Sequence, residues 1–259
     1  MNRSEWNKFV KARDRFRRET EKLSLSLPEL KNIQQKFADN RAGGKNSSYT
    51  VETPVVYNSA LDGVTIGDEI KLVLVADNPG RREQAEENRR YLVGPSGKIA
   101  KKFFNDNPAL GIDFQKNVII LNKTPIHSPR TAELRELCRM EAETVGISLA
   151  DALEESQRTQ AALLLEFHEA LNAQVWITGY SEMRKGGIFE VYTETLKKLY
   201  SGRENLYKQI YFYRHFSMNQ FTIDLKQQAL PGETAAKSLK RIGEAYRERI
   251  LGTIGLDKK

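Results

Sequence analysis

The chain has 259 residues, and its 41 lysines and arginines against 34 aspartates and glutamates give a formal net charge of +7. Hydrophobic residues make up 39% of it, enough for one large α/β domain, and no apolar run approaches the roughly 20 residues of a membrane span. The single cysteine, Cys138, excludes an intrachain disulfide and a cysteine-rich metal or cluster site.

The positive charge favours an anionic partner, of which nucleic acid is the commonest, although a basic solvated surface explains it equally well. The N-terminus is too charged for a signal peptide, so we expect a cytoplasmic protein with no membrane partner.

The N-terminal segment has a helical pattern. Apolar residues recur among the charges of residues 4–23, which predicts an amphipathic helix, and Pro28 begins a second predicted helix that runs to about residue 37. Residues 39–50 are polar and contain glycine, which predicts a loop. We therefore divide the chain into an N-terminal helical extension, residues 1–50, that packs on an α/β domain, residues 51–259.

Short apolar runs predict a parallel sheet. Leu72–Ala76 is a continuous apolar run of the kind found in strands buried on both faces. The other predicted strands are residues 117–121, Gln174–Thr178 and residues 209–213; predicted helices are residues 96–104, 132–171 with a break near Gly146, 188–200 and 234–251. This alternation predicts a three-layer α/β/α sandwich around a mostly parallel four-stranded sheet.

Polar side chains follow several of these strands. Asp77 and Asn78 come after the first strand, Asn122 after the second, and His215 and Ser217 after the last. Parallel strands end at one edge of the sheet, where open α/β folds place ligand sites, so we expect these groups to converge. The alternative is structural, because Asp and Asn commonly satisfy backbone groups in turns and a histidine at a strand end is usually structural.

Several common site patterns are absent from the sequence. Residues 94–98, GPSGK, resemble a phosphate loop, but Leu92 stands where the Walker pattern needs glycine and Ile99 where it needs Ser or Thr. No GxGxxG or GxSxG motif occurs, and the histidines lack HExxH-like spacing. We therefore expect no dinucleotide, no catalytic metal ion and no serine nucleophile.

Motifs in order along the chain resemble those of the uracil-DNA glycosylase superfamily: ADNPG (residues 76–80), YLVGPSG (91–97), NVIILNKTPIHSPRT (117–131) and HFSMN (215–219). Members carry GxDP, GxNPG or GEAPG after the first strand, then FVGxAG or a variant, an Asn after a later strand, and HPS near the last. The resemblance covers roughly residues 55–221. The cysteines of the iron–sulfur branches are absent, so it implies a divergent member without a cluster and without other cofactors.

This resemblance implies catalytic roles. Asn78 matches the residue that holds the attacking water, and Asp77 matches the carboxylate that helps activate water or stabilises the sugar cation. His215 matches the histidine that donates to the base O2 as negative charge develops there.

The resemblance also implies base and DNA contacts. Asn122 matches the amide that distinguishes uracil from cytosine by its donor and acceptor pattern. Leu92 occupies the position of the stacking phenylalanine, with Tyr91 beside it. Ser217, Lys98 and Arg130 are expected to contact DNA phosphates, and Met218 and Asn219 to enter the gap that the flipped nucleotide leaves in the duplex. For Lys98 or Arg130 alone, a solvated surface is an equally good explanation.

The implied function is that of a monomeric, monofunctional DNA glycosylase, a hydrolase that removes uracil or a related deaminated base flipped out of single- or double-stranded DNA. A catalytically inactive nucleic-acid- or nucleobase-binding protein on the same fold is the alternative. A third interpretation is an unrelated α/β enzyme that acts on a nucleotide or a small anion.

Overall fold

The computed structural model describes residues 1–40, 49–140 and 148–252. Its centre is an all-parallel sheet with the strand order β2-β1-β3-β4, and helices cover both faces, so the predicted three-layer α/β/α sandwich is confirmed. The strands are β1 (Leu72–Ala76), β2 (Val118–Asn122), β3 (Gln174–Thr178) and β4 (Ile210–Tyr213).

The helices in chain order are α1 (Arg3–Ser26), α2 (Leu30–Asn40), α3 (Pro95–Asp106), α4 (Glu133–Met140), α5 (Leu149–Leu171), α6 (Glu190–Tyr200), α7 (Glu204–Tyr207), α8 (Gln220–Gln228) and α9 (Ala235–Leu251). Of these, α7 and α8 were not predicted. Helix α3 begins at Pro95 with Gly94 as its N-cap, so Ser96 lies inside the helix and the expectation that it caps α3 is wrong. The predicted break near Gly146 lies outside the described residues, as does most of the predicted loop after α2. Among the described residues, no helix is long and apolar enough to cross a membrane.

Strand β1 is buried along its whole length, and its side chains alternate between two apolar clusters. Val73 and Val75 pack in a cluster with Phe9 of α1 and Phe167 of α5. Leu72, Leu74 and Ala76 face the other cluster, which contains Phe103 and Phe104 of α3 and Trp176 of β3. Because β1 is paired on both edges and covered on both faces, the turn that follows it starts from a fixed position.

Helix α1 belongs to the same core as the sheet. Asn2 and Glu5 form a capping box at its start. Its buried phenylalanines, Phe9 and Phe16, lie in the cluster that covers β1, and α1 packs lengthwise on α5. The division of the chain at residue 50 stays a prediction.

Helix α9 covers the outer strand β4, and its Gly243 lies directly against that strand. A Cβ atom at this glycine would lie 2.7 Å from Tyr211 Cβ and 2.7 Å from the hydroxyl oxygen of Tyr213. We expect Gly243→Ala to lower the free energy of unfolding by about 1–3 kcal/mol, because the added methyl group overpacks this contact. Urea denaturation measures the change.

Gly63→Ala is the matched control, since a Cβ at Gly63 meets nothing within 4 Å. Equal losses in the free energy of unfolding would contradict the claim that α9 and β4 leave no room for a methyl group at Gly243.

Candidate functional site

A cavity of about 950 Å³ opens at the carboxyl ends of β1, β3 and β4. Asp77 and Asn78 line it after β1, Gly179 and Tyr180 after β3, and His215 after β4. The structure therefore brings together the polar side chains that follow the first and last strands of the sequence.

The predicted site residues divide into two groups. Those on the cavity wall are Asp77, Asn78, Leu92, Arg130, His215, Ser217 and Met218. Within the described residues, those that do not line the cavity are Tyr91, Lys98, Asn122 and Asn219.

The side chain of Asn78 is fixed by the segment that follows β2. Its Nδ2 donates to Ser128 Oγ at 2.9 Å and to the Ser128 carbonyl oxygen at 3.1 Å, while Thr131 Oγ1 lies 3.2 Å from its Oδ1. An amide oxygen has two acceptor positions, so Oδ1 retains one for a water molecule. Asn78 can therefore orient water as an acceptor, but its donors are occupied.

Asp77 forms a buried ion pair with Lys123, a residue that the sequence analysis did not single out. Lys123 is 0% exposed, and its Nζ donates to Asp77 Oδ1 and, at 2.5 Å, to the Thr178 carbonyl oxygen. Thr131 Oγ1 donates to Asp77 Oδ2 at 3.0 Å. Burial lowers the pKa of Lys123, and the Asp77 carboxylate opposes that shift.

The register of β1 and β2 explains why Asp77 and Lys123 meet. Ala76 lies opposite Asn122 in the β1–β2 ladder, so the next residues of the two strands, Asp77 and Lys123, follow side by side. The backbone N–H of Lys123 continues the ladder, with distances of 3.1 Å to the Ala76 carbonyl oxygen and 3.0 Å to that of Asp77.

Gly179 makes room for the Asp77 carboxylate. It has φ +76, and a Cβ there would lie 2.4 Å from Asp77 Oδ1. Both the left-handed backbone and the close approach require glycine.

His215 presents a hydrogen-bond donor at the cavity wall. Its Nδ1 accepts from the backbone N–H of Ser217 at 3.0 Å, which places the proton of a neutral ring on Nε2. Burial lowers the pKa of His215, and Asp77 opposes that shift, so the ring is neutral near pH 7. The Nε2–H group is thus a fixed donor that carries no full charge.

Asn122 and Tyr91 lie behind the wall. Asn122 is 1% exposed, and among the described residues neither its Oδ1 nor its Nδ2 has a hydrogen-bond partner. Its register partner Ala76 lines the cavity, so Asn122 faces the same side of the sheet one strand away. Tyr91 is buried and donates to the Val56 carbonyl oxygen at 2.6 Å, which occupies its hydroxyl proton within the core.

Glu83, which was not predicted, lines the cavity together with Leu92. Leu92 has φ 52, and its carbonyl lies so close to Gly97 that a Cβ there would be 1.4 Å from the Leu92 oxygen. The Glu83 carboxylate accepts from the backbone N–H group of Gly80 at 3.1 Å. Burial raises the pKa of Glu83 to about 7.

The wall of the cavity is rich in arginine: Arg81, Arg82, Arg130 and Arg214 line it. Arg214 pairs with Asp224, with Nε 3.2 Å from Oδ1. Met218 is 78% exposed, and Met218 and Asn219, consecutive residues between β4 and α8, both have positive φ. The positive charge suits an anionic ligand.

Among the described residues, no group of three or more His, Cys, Asp or Glu side chains could hold a metal ion. Comparison with known proteins gives no match for the chain, whether to a family model, a curated protein or a solved structure. Function is therefore inferred from the cavity and from the motifs that line it.

We expect Lys123→Met to lower the free energy of unfolding by about 3–5 kcal/mol, because it leaves the Asp77 carboxylate largely buried without its cation. Urea denaturation measures the loss, and Asp77→Asn combined with Lys123→Met should recover much of it.

Lys102→Met is the control for removal of a lysine. Lys102 pairs with Asp106 on the exposed surface of α3, where such a pair contributes about 0–1 kcal/mol. Similar losses at Lys102 and Lys123 would contradict the assignment of a buried ion pair.

Three buried groups predict how stability depends on pH. Burial lowers the pKa values of His127 and His168 to about 4, so each binds a proton more readily in the unfolded chain and stability falls as the pH drops below about 6.5. Glu83, with its raised pKa, binds its proton more readily in the folded chain and has the opposite effect between about pH 4.5 and 7. The expected contribution of the three groups is a loss of about 1.4 kcal/mol per pH unit between pH 6.5 and 4.5.

Variants separate these contributions in urea denaturation at several pH values. His168→Gln should lower the slope by about 1.4 kcal/mol per pH unit relative to the wild type, whereas Glu83→Gln should raise it by about the same amount. Identical slopes in all three proteins would contradict the assignment.

Proposed function

We propose that the protein is a DNA glycosylase that hydrolyses the N-glycosidic bond of uracil or a related deaminated base flipped out of DNA. The observation that carries the proposal is that His215, with its available Nε2–H, lines one cavity together with Asp77 and Asn78. The resemblance of the motifs that supply these residues to those of the uracil-DNA glycosylase superfamily supports it.

The chemistry requires opposite charges in two places. As the N-glycosidic bond breaks, positive charge develops on the deoxyribose and negative charge on the departing base. Asp77, held by Lys123 and Thr131, supplies a fixed negative charge near the sugar, and Asn78 orients the attacking water. His215 donates to the base carbonyl. A fixed donor aimed at developing charge typically lowers the activation free energy by about 3–4 kcal/mol.

Flipping the nucleotide out of the duplex costs a few kcal/mol, which contacts to the DNA must offset. The arginines of the cavity wall provide phosphate contacts, and exposed Met218 provides an apolar side chain for the gap that the nucleotide leaves. A cavity of about 950 Å³ has room for a pyrimidine or a purine, so deaminated purines belong among the candidate substrates.

A second function is a nucleic-acid- or nucleobase-binding protein without catalysis. The observation that favours it is that the catalytic groups are heavily engaged within the protein. Both oxygens of Asp77 and the amide donors of Asn78 have internal partners, and Asn122 is buried away from the cavity.

The test is incubation with labelled single- and double-stranded oligonucleotides that contain uracil, hypoxanthine or xanthine, followed by alkaline cleavage at abasic sites. We expect strand scission with the wild type, and a rate lower by roughly 10²–10³ in His215→Ala, which removes one donor to developing charge. Asn78→Ala should also reduce scission strongly.

His168→Gln is the control. His168 is a buried residue of α5 that contacts Tyr200 of α6, and it does not line the cavity. Salt-sensitive DNA binding without scission would favour the binding protein instead. A protein that neither binds DNA nor causes strand scission would contradict both proposals.

A further inference from the structure

The carbonyl group of Pro79 is held from behind the cavity by a buried histidine. His127 is 0% exposed, and its Nδ1 lies 2.8 Å from the Pro79 oxygen, which also accepts from the backbone N–H of Ser128 at 3.2 Å. A carbonyl oxygen only accepts, so the ring proton of His127 is on Nδ1 and Nε2 must be an acceptor. Tyr49 supplies the donor, with its hydroxyl 2.8 Å from Nε2.

Tyr49 also contacts a residue of the cavity wall. The guanidinium of Arg81 lies over the Tyr49 ring, 4.7 Å from its centroid, and Arg81 lines the cavity. One tyrosine thus contacts Arg81 through its ring face and, through its hydroxyl, the histidine that holds Pro79.

Helix α2 holds this pair in place. Gln35 Nε2 donates to the Tyr49 carbonyl oxygen at 3.1 Å, and Gln34 Nε2 donates to the His127 carbonyl oxygen at 2.8 Å. Helix α2 is therefore connected by hydrogen bonds, through His127, to the turn that carries Asn78.

We propose that Tyr49 and His127 are positioning residues that fix the turn of Asn78, Pro79 and Gly80 and orient Arg81 at the cavity wall. The consequence for catalysis rests on the proposed function, whereas the order of the turn can be measured without it. A turn held in this way keeps Asn78 in the geometry that orients water, and small misplacements of such groups are costly in rate.

Tyr49→Phe tests the proposal, because it removes the hydroxyl donor and keeps the ring beneath Arg81. With the protein in saturating excess over a uracil-containing oligonucleotide, we expect the single-turnover rate to fall roughly ten- to a hundredfold while the Kd for DNA stays unchanged. His127→Asn, which retains an N–H donor for Pro79, should lose less rate than His127→Leu.

Tyr57→Phe is the matched control. Tyr57 donates to Asp62 at 2.8 Å and has Arg17 over its ring at 5.3 Å, yet it does not line the cavity. A purely structural tyrosine hydroxyl would give the two variants similar thermal stability losses and similar rates. Similar rates in Tyr49→Phe, Tyr57→Phe and the wild type would overturn the proposal.

An independent measurement needs no activity. NMR of the histidine rings should show His127 protonated at Nδ1 in the wild type, and Gly80, whose N–H donates to Glu83 at 3.1 Å, should exchange its amide hydrogen several-fold faster in Tyr49→Phe but not in Tyr57→Phe. A ring protonated at Nε2, or unchanged Gly80 exchange, would overturn the proposal. If the wild type excises no base, the proposed function fails, and these two measurements alone decide whether Tyr49 and His127 position the turn.

Discussion

The buried contact between Asp77 and Lys123 constrains the carboxyl ends of three of the four strands. It joins the end of β1 to the end of β2, and the donation from Lys123 to the Thr178 carbonyl oxygen adds the end of β3. Two charges removed from water are tolerated only where their geometry and remaining hydrogen bonds are satisfied. The space beside Gly179 and the hydroxyl of Thr131 meet that requirement, and together they fix the direction of the carboxylate that lines the cavity.

Two neutral histidines use opposite ring nitrogens as donors at this edge. His127 donates from Nδ1 to a carbonyl behind the turn, whereas His215 accepts at Nδ1 from a backbone N–H and therefore has its proton on Nε2. The backbone partner selects the tautomer in each case. Burial lowers the pKa of both rings, so each acts as a directional donor without adding a full positive charge, His127 near Arg81 and His215 near Lys123.

The parts of the fold that depend on local pattern could be predicted, and those that depend on pairing could not. The run Leu72–Ala76 predicts a strand, and Asp77 and Asn78 after it predict a polar edge, because both signals lie within a few consecutive residues. Lys123 follows from the β1–β2 register, which no single segment contains. The hydrogen bond between Tyr49 and His127 joins residues 78 positions apart in the chain. The left-handed backbone at Met218 and Asn219, just before α8, leaves no trace in the hydrophobic pattern of the sequence.

Hydrogen-bonding capacity distinguishes the residues predicted to contact a base. A side chain that reads a base edge through hydrogen bonds must have free donors and acceptors before the base arrives. Tyr91 was predicted beside the stacking position, which needs an accessible ring, but it is 3% exposed and does not line the cavity. Asn122 has both amide atoms without partners among the described residues, a state that costs about 1–3 kcal/mol for each buried group and that folded proteins seldom retain. It faces the same side of the sheet as Ala76, which lines the cavity. Asn122 therefore keeps free donors and acceptors, and because it is buried, neighbouring side chains must move before any ligand in the cavity can reach it.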